Sequence, residues 1–240
     1  MDVTFKRKPF NGSYVHVYET PGMIMGFTEM DFSEEDLTPW FKPFRWVELE
    51  QIHADDIYLS SEIYPGMEGD GIILDQKDMA AVIKTADCTP LFFWNDDYSY
   101  GGVLHIGWRG LLKGIEQKLL RLLPKHPVPV DPRRLNFYLG PAIEQTCYPV
   151  NRDLYEAFAG KSYRDFIFSP AAQFGHPGDG KYLLDVPGGI RFSLREVGIP
   201  DNRVSASSFC TFCEAERFPS YRRKPNTGKR IYNFLMLVST

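Results

Sequence analysis

Short apolar runs bounded by turn residues dominate the chain from residue 71 onward. Runs of about four to eight apolar residues between turns are typical of buried β-strands. Before residue 60 the periodicity is weaker, and charged and aromatic residues are frequent. The pattern predicts strands over residues 12–19, 22–28, 71–75, 80–84, 90–94, 101–106, 134–139, 203–209 and 231–238.

Three segments show helical patterns. Apolar residues recur at 111, 112, 115, 119, 122 and 123, which predicts a helix over 111–123 that is closed by Pro124. Asn151 is a candidate N-cap for a helix ending near residue 159, and Asp185 for one ending near residue 197. A glycine follows each of these two helices, as is common at helix C-termini.

The order of these elements indicates the fold class. Predicted strands outnumber predicted helices, and several strands follow one another with no helix between them. This order favours an α+β fold, with mixed β-sheets flanked by helices, over a doubly wound parallel sheet. The Gly/Pro-rich stretch 169–180 is interpreted as a long loop, and we expect one domain over residues 1–240.

Charge and composition narrow the class of protein. A formal net charge of −4 provides no electrostatic footprint for duplex nucleic acid. No apolar run approaches the roughly 20 residues that span a bilayer, and the N-terminus lacks the pattern of a signal peptide. We therefore expect a cytoplasmic protein with no nucleic-acid or membrane partner. Its four cysteines are then expected to be thiols, ligands or nucleophiles before they are disulfides.

His53, Cys88 and His105 each lie at or near the end of a predicted strand, where a sheet holds side chains rigidly. Two imidazoles and one thiolate suit zinc, and suit copper nearly as well. Three protein ligands also leave one coordination position open, as catalytic sites do. The long spacings carry little motif information, so a buried free cysteine with two hydrogen-bonded histidines is the competing interpretation.

Two neighbours of this trio are candidates for supporting roles. Asp87 could orient a ligating histidine through a hydrogen bond. Gly107 and Gly110 allow a tight turn and close backbone approach at the start of the predicted helix. The amide groups there, together with Arg109, form a candidate phosphate or carboxylate site. A surface salt bridge is an equally good interpretation of Arg109.

Eight short stretches together resemble the YfiH family, also called the DUF152 or laccase-domain (polyphenol oxidase) family of purine nucleoside phosphorylases. They occur in the family's order and cover about residues 48–235. The stretches are EQIH (50–53), TADCTP (85–90), HIGWRG (105–110), GPAI (140–143), CY (147–148), CTFC (210–213), FPSYRR (218–223) and TGK (227–229).

This resemblance implies a zinc site made by His53, Cys88 and His105, which would be both the metal ligands and the catalytic residues. It implies phosphorolysis of purine nucleosides such as adenosine, inosine and guanosine, and deamination of adenosine. The partners would be a nucleoside and phosphate, contacted by Arg109, Tyr221, Arg222 and Arg223. The implied fold is similar to the catalytic domain of a bacterial deamidase toxin, and the implied state is a monomer or homodimer.

The chain departs from the family pattern at several positions. Ala54 replaces the glycine that usually follows the first histidine, Pro149 replaces a glutamate, and Lys229 replaces an arginine. The family's early Asn-Arg element is missing before residue 45. These departures leave the three candidate ligands intact but put the substrate preference in question.

Other functions compete with the nucleoside enzyme. Copper-dependent phenol oxidation normally needs many histidines, and this chain has five. A Cys–His hydrolase or deamidase would use Cys88 as nucleophile and His105 as base. A non-catalytic metal-binding protein is a further alternative. Cys210 and Cys213 form a lone Cys-x-x-Cys, interpreted as structural thiols or pocket lining, and Cys147 is interpreted as core or pocket wall.

Overall fold

The computed structural model describes residues 3–30, 32–42, 44–123, 130–174 and 180–239. Within these ranges it contains fifteen strands and six α-helices. The strands are β1 (Lys6–Phe10), β2 (Ser13–Thr20), β3 (Met23–Thr28), β4 (Arg45–Val47), β5 (Ile57–Leu59), β6 (Gly71–Leu74), β7 (Met79–Thr85), β8 (Thr89–Asn95), β9 (Gly101–Ile106), β10 (Leu135–Leu139), β11 (Pro149–Asn151), β12 (Phe168–Pro170), β13 (Lys181–Leu184), β14 (Val204–Ala206) and β15 (Ile231–Leu237). The helices are α1 (Glu34–Phe41), α2 (Trp108–Lys113), α3 (Ile115–Leu122), α4 (Arg152–Ala157), α5 (Arg164–Ile167) and α6 (Val186–Glu196).

The described strands form two six-stranded sheets and one three-stranded sheet. The first sheet has the order β1-β2-β3-β15-β7-β4, and the second has the order β14-β10-β8-β9-β6-β5. The small sheet has the order β11-β13-β12. Most pairs are antiparallel, but β4 with β7, β5 with β6 and β10 with β14 are parallel. The mixed sheets and flanking helices confirm the predicted α+β class.

The core is arranged in layers. Residues of β3 and β15 in the first sheet pack against residues of β6, β8 and β9 in the second, which buries side chains such as Phe27 and Trp94. The other face of the second sheet is covered by α2, α3 and α6. The other face of the first sheet is covered by α1. Central strands such as β6, β8 and β9 are therefore buried on both faces, which explains why they are continuous apolar runs rather than alternating ones. The edge strand β1 is mostly exposed.

Eight of the nine strand predictions are confirmed, and the ninth, over 203–209, is longer than the strand found there. The helix predicted over 111–123 is wrong in one respect. The chain forms two helices there, because Gly114 adopts a left-handed conformation with φ of 78° between α2 and α3. The predicted end at Pro124 lies outside the described residues. The Asp185 cap is confirmed, since its carboxylate accepts a hydrogen bond of 2.8 Å from the Gly188 N–H. Asn151 precedes α4 without a side-chain cap bond.

The sequence analysis did not predict several elements or predicted them with the wrong length. The helix α1 is preceded by a capping box in which Ser33 and Asp36 exchange hydrogen bonds. The strand predicted over 203–209 is only β14, and the predicted loop over 169–180 begins with the end of β12 and a 3₁₀ turn at Ala171–Phe174. Residues 175–179 of that loop lie outside the described part. Among the described helices, none has the length and apolar character needed to cross a bilayer.

Candidate metal centre

Three separate segments bring His53, Cys88 and His105 together. His53 lies between β4 and β5, Cys88 lies in the connection from β7 to β8, and His105 is the penultimate residue of β9. One side-chain ligand atom of each residue lies within 4.8 Å of the others, and the Cys88 Sγ is 3.8 Å from the His53 Nε2. The pairing of β8 with β9 places Pro90 opposite His105, so the register of the second sheet sets the separation of Cys88 and His105.

Asp70 positions two of these three residues, His105 through its ring and His53 through its backbone. Its carboxylate is fully buried and accepts a 2.6 Å hydrogen bond from the His105 Nδ1. It also accepts backbone N–H bonds from His53 at 3.1 Å and Ala54 at 2.6 Å, with a longer one from Ile52 at 3.3 Å. One carboxylate thus sets the tautomer of His105, leaving its Nε2 free for the centre, and holds the backbone turn that presents His53.

The backbone at the centre is constrained in two places. His53 has φ of 58°, a left-handed conformation that non-glycine residues adopt only where the surroundings enforce it. Gly107 lies against two of the three side chains. A Cβ at this position would be 2.9 Å from the Cys88 Sγ and 3.1 Å from the His53 Cδ2. Gly107, the first glycine of the stretch HIGWRG, therefore lets the backbone lie close to the Cys88 and His53 side chains.

The electrostatics of the centre favour a thiolate. Burial raises the pKa of Cys88, but its interactions with His105 and then His53 outweigh this and lower the pKa to about 6. Burial lowers the pKa of His105, but Cys88 and Asp70 outweigh it and raise the pKa to about 9. Burial also opposes ionisation of Asp70, and its hydrogen bonds from His105 and the backbone reverse that effect, so its pKa is lowered.

The donor set fits a transition metal. A thiolate is the form of cysteine that binds a cation, and His105 has one ring nitrogen left for a ligand bond. A His₂Cys set is acceptable to zinc and to copper, and three protein ligands leave a coordination position for water or substrate. This cluster can therefore hold one metal ion, and its donor types do not by themselves select between the two metals.

The centre opens into a cavity of about 1250 Å³. Trp108, Tyr148 and Tyr221 contribute aromatic surfaces to its wall. Burial, followed by the charge of Cys88, raises the pKa of Tyr148 to about 12, so its hydroxyl remains protonated near neutral pH. The cavity wall carries both signs of charge: five cationic side chains, Arg45, Lys84, Arg109, Arg222 and Arg230, and three carboxylates, Glu48, Glu50 and Asp87. Lys84 is paired with Glu34 and Glu48.

The four predicted substrate residues have different surroundings. Arg109 and Tyr221 line the cavity and are exposed, and the Arg109 guanidinium lies 4.3 Å from the Trp108 ring centroid. Arg222 also lines the cavity, where it stacks over Tyr148 at 4.9 Å. Arg223 is not part of the cavity wall. Its guanidinium instead donates to the carbonyl oxygens of Thr211, Phe212 and Phe218 at 2.6–2.7 Å.

The predicted role of Asp87 as the partner of a ligating histidine is wrong, because Asp70 occupies that position. Asp87 has φ of 88°, and its two carboxylate oxygens accept bonds of 2.7 Å from the Thr211 hydroxyl and from the Arg222 N–H. It therefore joins the turn before Cys88 to the two C-terminal loops. The sequence analysis missed Asp70. The feature that could have identified it is its position between two glycines, directly before an apolar strand.

The remaining three cysteines are also close together. Although 66 residues separate Cys147 from Cys213, their sulfurs are 3.2 Å apart, and Cys210 completes a group whose sulfurs all lie within 4.8 Å. Cys210 is buried, Cys147 is half-buried and Cys213 is exposed. None of the three belongs to the wall of the large cavity. The interpretation of these thiols as pocket lining is therefore wrong.

Comparison with known proteins adds four findings. Residues 37–237 match the family model described as multi-copper polyphenol oxidoreductase laccase. The chain is 31% identical over 197 residues to purine nucleoside phosphorylase YfiH of Escherichia coli, covering 82% of this chain and 75% of that protein. It is 28% identical over 218 residues to a purine nucleoside phosphorylase of Rickettsia conorii, covering 90% and 86%. The crystal structure of the Bacillus licheniformis hypothetical protein YfiH has the same fold, with a TM-score of 0.81, 22% identity, and coverage of 97% and 98%.

Proposed function

This chain belongs to the family of the multi-copper polyphenol oxidoreductase laccase model, and on that premise we propose that it is a metal-dependent enzyme acting on purine nucleosides. The observation that carries the proposal is the convergence of His53, Cys88 and His105 at the wall of a large cavity that is lined by aromatic and arginine side chains. The names of the relatives in Escherichia coli and Rickettsia conorii support purine nucleosides as the substrate class. We also propose that residues 1–240 act as one domain.

The proposed metal is one zinc ion per chain, held by His53, Cys88 and His105. Zinc supplies Lewis acidity when it is bound. The protein contributes the negative charge of the Cys88 thiolate, and the bond from His105 Nδ1 to Asp70 directs the other ring nitrogen to the centre. Copper is the alternative ion. Among the described residues, the one further histidine is His16, whose Nε2 lies 2.8 Å from a Glu29 carboxylate oxygen. Five histidines in the whole sequence are few for a multicopper cluster.

The cavity suits a purine nucleoside and an anion together. Trp108, Tyr148 and Tyr221 supply aromatic side chains against which a purine base can stack. Arg109 lies over one face of Trp108 and Arg222 over one face of Tyr148. Arg109 and Arg222 lie in the same wall and can hold phosphate through paired N–H donors. Arg222 donates one bond to the Pro149 carbonyl at 3.0 Å and has further N–H donors. We leave Arg223 out of this set, because it does not line the cavity and three backbone carbonyl groups accept its hydrogen bonds.

Two reactions are proposed for this site. In phosphorolysis, a phosphate oxygen bonds to C1′ while the bond from C1′ to the purine nitrogen breaks, and the leaving base takes up a proton. In deamination of adenosine, water adds at C6 and ammonia leaves. Only the first reaction needs a bound phosphate, so Arg109 and Arg222 are expected to matter more for phosphorolysis than for deamination.

A second candidate function has its own supporting observation. With a pKa of about 6 for Cys88 and about 9 for His105, the metal-free pair is a thiolate beside an imidazolium at neutral pH. That pairing is the resting state of a cysteine hydrolase or deamidase, in which Cys88 is the nucleophile. A bound cation would block this chemistry by coordinating the same thiolate, so removal of the metal separates the two functions.

The test is turnover of adenosine, inosine and guanosine, with and without phosphate, before and after chelation. We expect chelation to abolish turnover and added zinc to restore it. Cys88→Ala and His105→Ala should lose both zinc and turnover while remaining folded. Turnover that survives complete removal of the metal would refute the zinc mechanism and favour the cysteine hydrolase. Phenol oxidation that follows several bound copper ions per chain would favour the oxidase instead.

A further inference from the structure

The cluster of Cys147, Cys210 and Cys213 lies outside the candidate active site. Its sulfurs come from two loops that are distant in sequence. Cys147 ends a 3₁₀ turn one residue before β11, and the other two cysteines lie at a turn between β14 and β15. Bonds of about 2.3 Å from one central cation would place thiolate sulfurs about 3.8–4.0 Å apart. The sulfurs of Cys147 and Cys213 are 3.2 Å apart, and all three lie within 4.8 Å of one another, so small side-chain adjustments would bring them to that spacing.

Both loops are held in place by backbone hydrogen bonds. The Thr211 N–H donates to the Ala142 carbonyl at 3.0 Å, and the Glu144 N–H donates to the Cys210 Sγ at 3.5 Å. The Glu214 N–H closes the turn by donating to the Cys210 carbonyl at 3.0 Å. The three sulfurs are thus positioned by the fold itself.

We propose that Cys147, Cys210 and Cys213 form a three-thiolate site for one soft cation of the Cu⁺ or Zn²⁺ class, separate from the centre of His53, Cys88 and His105. A Cys-x-x-Cys turn supplies two adjacent ligands, and a third cysteine from another loop completes the set. Thiolates select soft and borderline cations over hard ones such as Mg²⁺ and Ca²⁺. Binding releases the protons of the bound thiols to solvent.

The site would brace one wall of the active centre. Thr211 lies between the two cysteines of the turn, and its hydroxyl donates to Asp87, the residue before Cys88. The Arg223 guanidinium donates hydrogen bonds to the carbonyl groups of Thr211 and Phe212 in the same turn. A cation joining this turn to Cys147 would link it to the segment that carries Tyr148, a residue of the cavity wall.

The experiment uses full-length protein without a histidine tag, stripped of metal and fully reduced, in a Cys88→Ala background that disables the first centre. Co²⁺, as a stand-in for zinc, and Cu⁺ are titrated separately. Charge-transfer absorption reports thiolate coordination, and equilibrium dialysis gives the stoichiometry. We expect one cation per chain with at least one of the two metals, together with the thiolate absorption. Cys147→Ser and Cys213→Ser in this background should each lose both signals.

Two controls keep the outcome clear. Cys210 is left in place because it is buried, and Ala215→Ser in the exposed part of the same turn should bind like the background protein. Circular dichroism should show that each serine variant is folded. Binding that is unchanged in the serine variants overturns the proposal. No thiolate absorption with either cation also overturns it, as does a disulfide between Cys147 and Cys213 that persists under reducing conditions and is seen as a loss of two hydrogens by intact mass.

Discussion

Replacing Asp70 with asparagine is the sharpest test of the centre, because a nearly isosteric change removes one charge from a fully buried position. The wild-type carboxylate accepts the His105 Nδ1–H at 2.6 Å and the Ala54 N–H at 2.6 Å, on different oxygens. An asparagine has one oxygen and one amide nitrogen. Whichever way it is turned, the amide nitrogen faces an N–H donor that it cannot accept from.

The structure sets the expected magnitude. Loss of a hydrogen-bond partner that orients a ligating histidine typically lowers metal affinity about 10- to 100-fold, or about 1.4 to 2.8 kcal/mol. The buried donor left unsatisfied costs about 1–3 kcal/mol of folding free energy in addition. Zinc affinity should fall because the Asp70→Asn variant no longer fixes the tautomer of His105 or the strained turn at His53.

The assay is zinc affinity by competition with a chromophoric chelator, with urea unfolding of the metal-free protein measured in parallel. Asp75→Asn is a matched control. Asp75 directly follows β6, whereas Asp70 directly precedes it, and Asp75 accepts bonds from the Ser60 hydroxyl at 2.6 Å and the Ser61 N–H at 3.1 Å. The control should lose stability but keep zinc affinity. Wild-type zinc affinity in Asp70→Asn, or an equal loss in Asp75→Asn, would refute the argument.

Three further predictions test other parts of the structure. Arg109→Ala should keep zinc but lower phosphorolysis more than deamination, measured as inosine turnover with phosphate against adenosine turnover without it; equal losses would remove Arg109 from the phosphate site. Gly107→Ala should lower zinc affinity by about tenfold or more in the chelator competition, because its Cβ would meet the Cys88 Sγ at 2.9 Å; unchanged affinity would show that the loop yields at little cost. Glu29 is buried, and although burial opposes its ionisation, hydrogen bonds from Arg7 and then His16 lower its pKa from 4.5 to about 2. Its charge therefore contributes roughly 3 kcal/mol of stability above pH 4.5 that is lost as the pH falls towards 2; urea unfolding of Glu29→Gln should show this deficit at pH 7 and almost none at pH 2, and a deficit independent of pH would contradict it.

The local pattern of the sequence determined most of the strands. Runs such as those at β6, β8 and β9 are apolar throughout because each strand is buried on both faces, so their composition alone marks them. Elements that depend on distant partners were missed. The strand β4 has three residues and exists because it pairs with β7, and one left-handed glycine, Gly114, divides a segment that has continuous helical periodicity.

Residue types and the family resemblance identified His53, Cys88 and His105 as candidates, because few side chains suit a transition metal and these three lie at strand ends. Their separation depends on how the β-strands are paired, and sequence spacing carries no information about it. The same limit hid Asp70, whose role depends on a hydrogen bond to a residue 35 positions away. It also hid the cysteine cluster, which joins Cys147 to Cys213 across 66 residues. The sequence therefore determined which chemical groups the protein possesses, while the tertiary structure decided which of them meet, because sheet register and loop packing bring together residues that no local pattern connects.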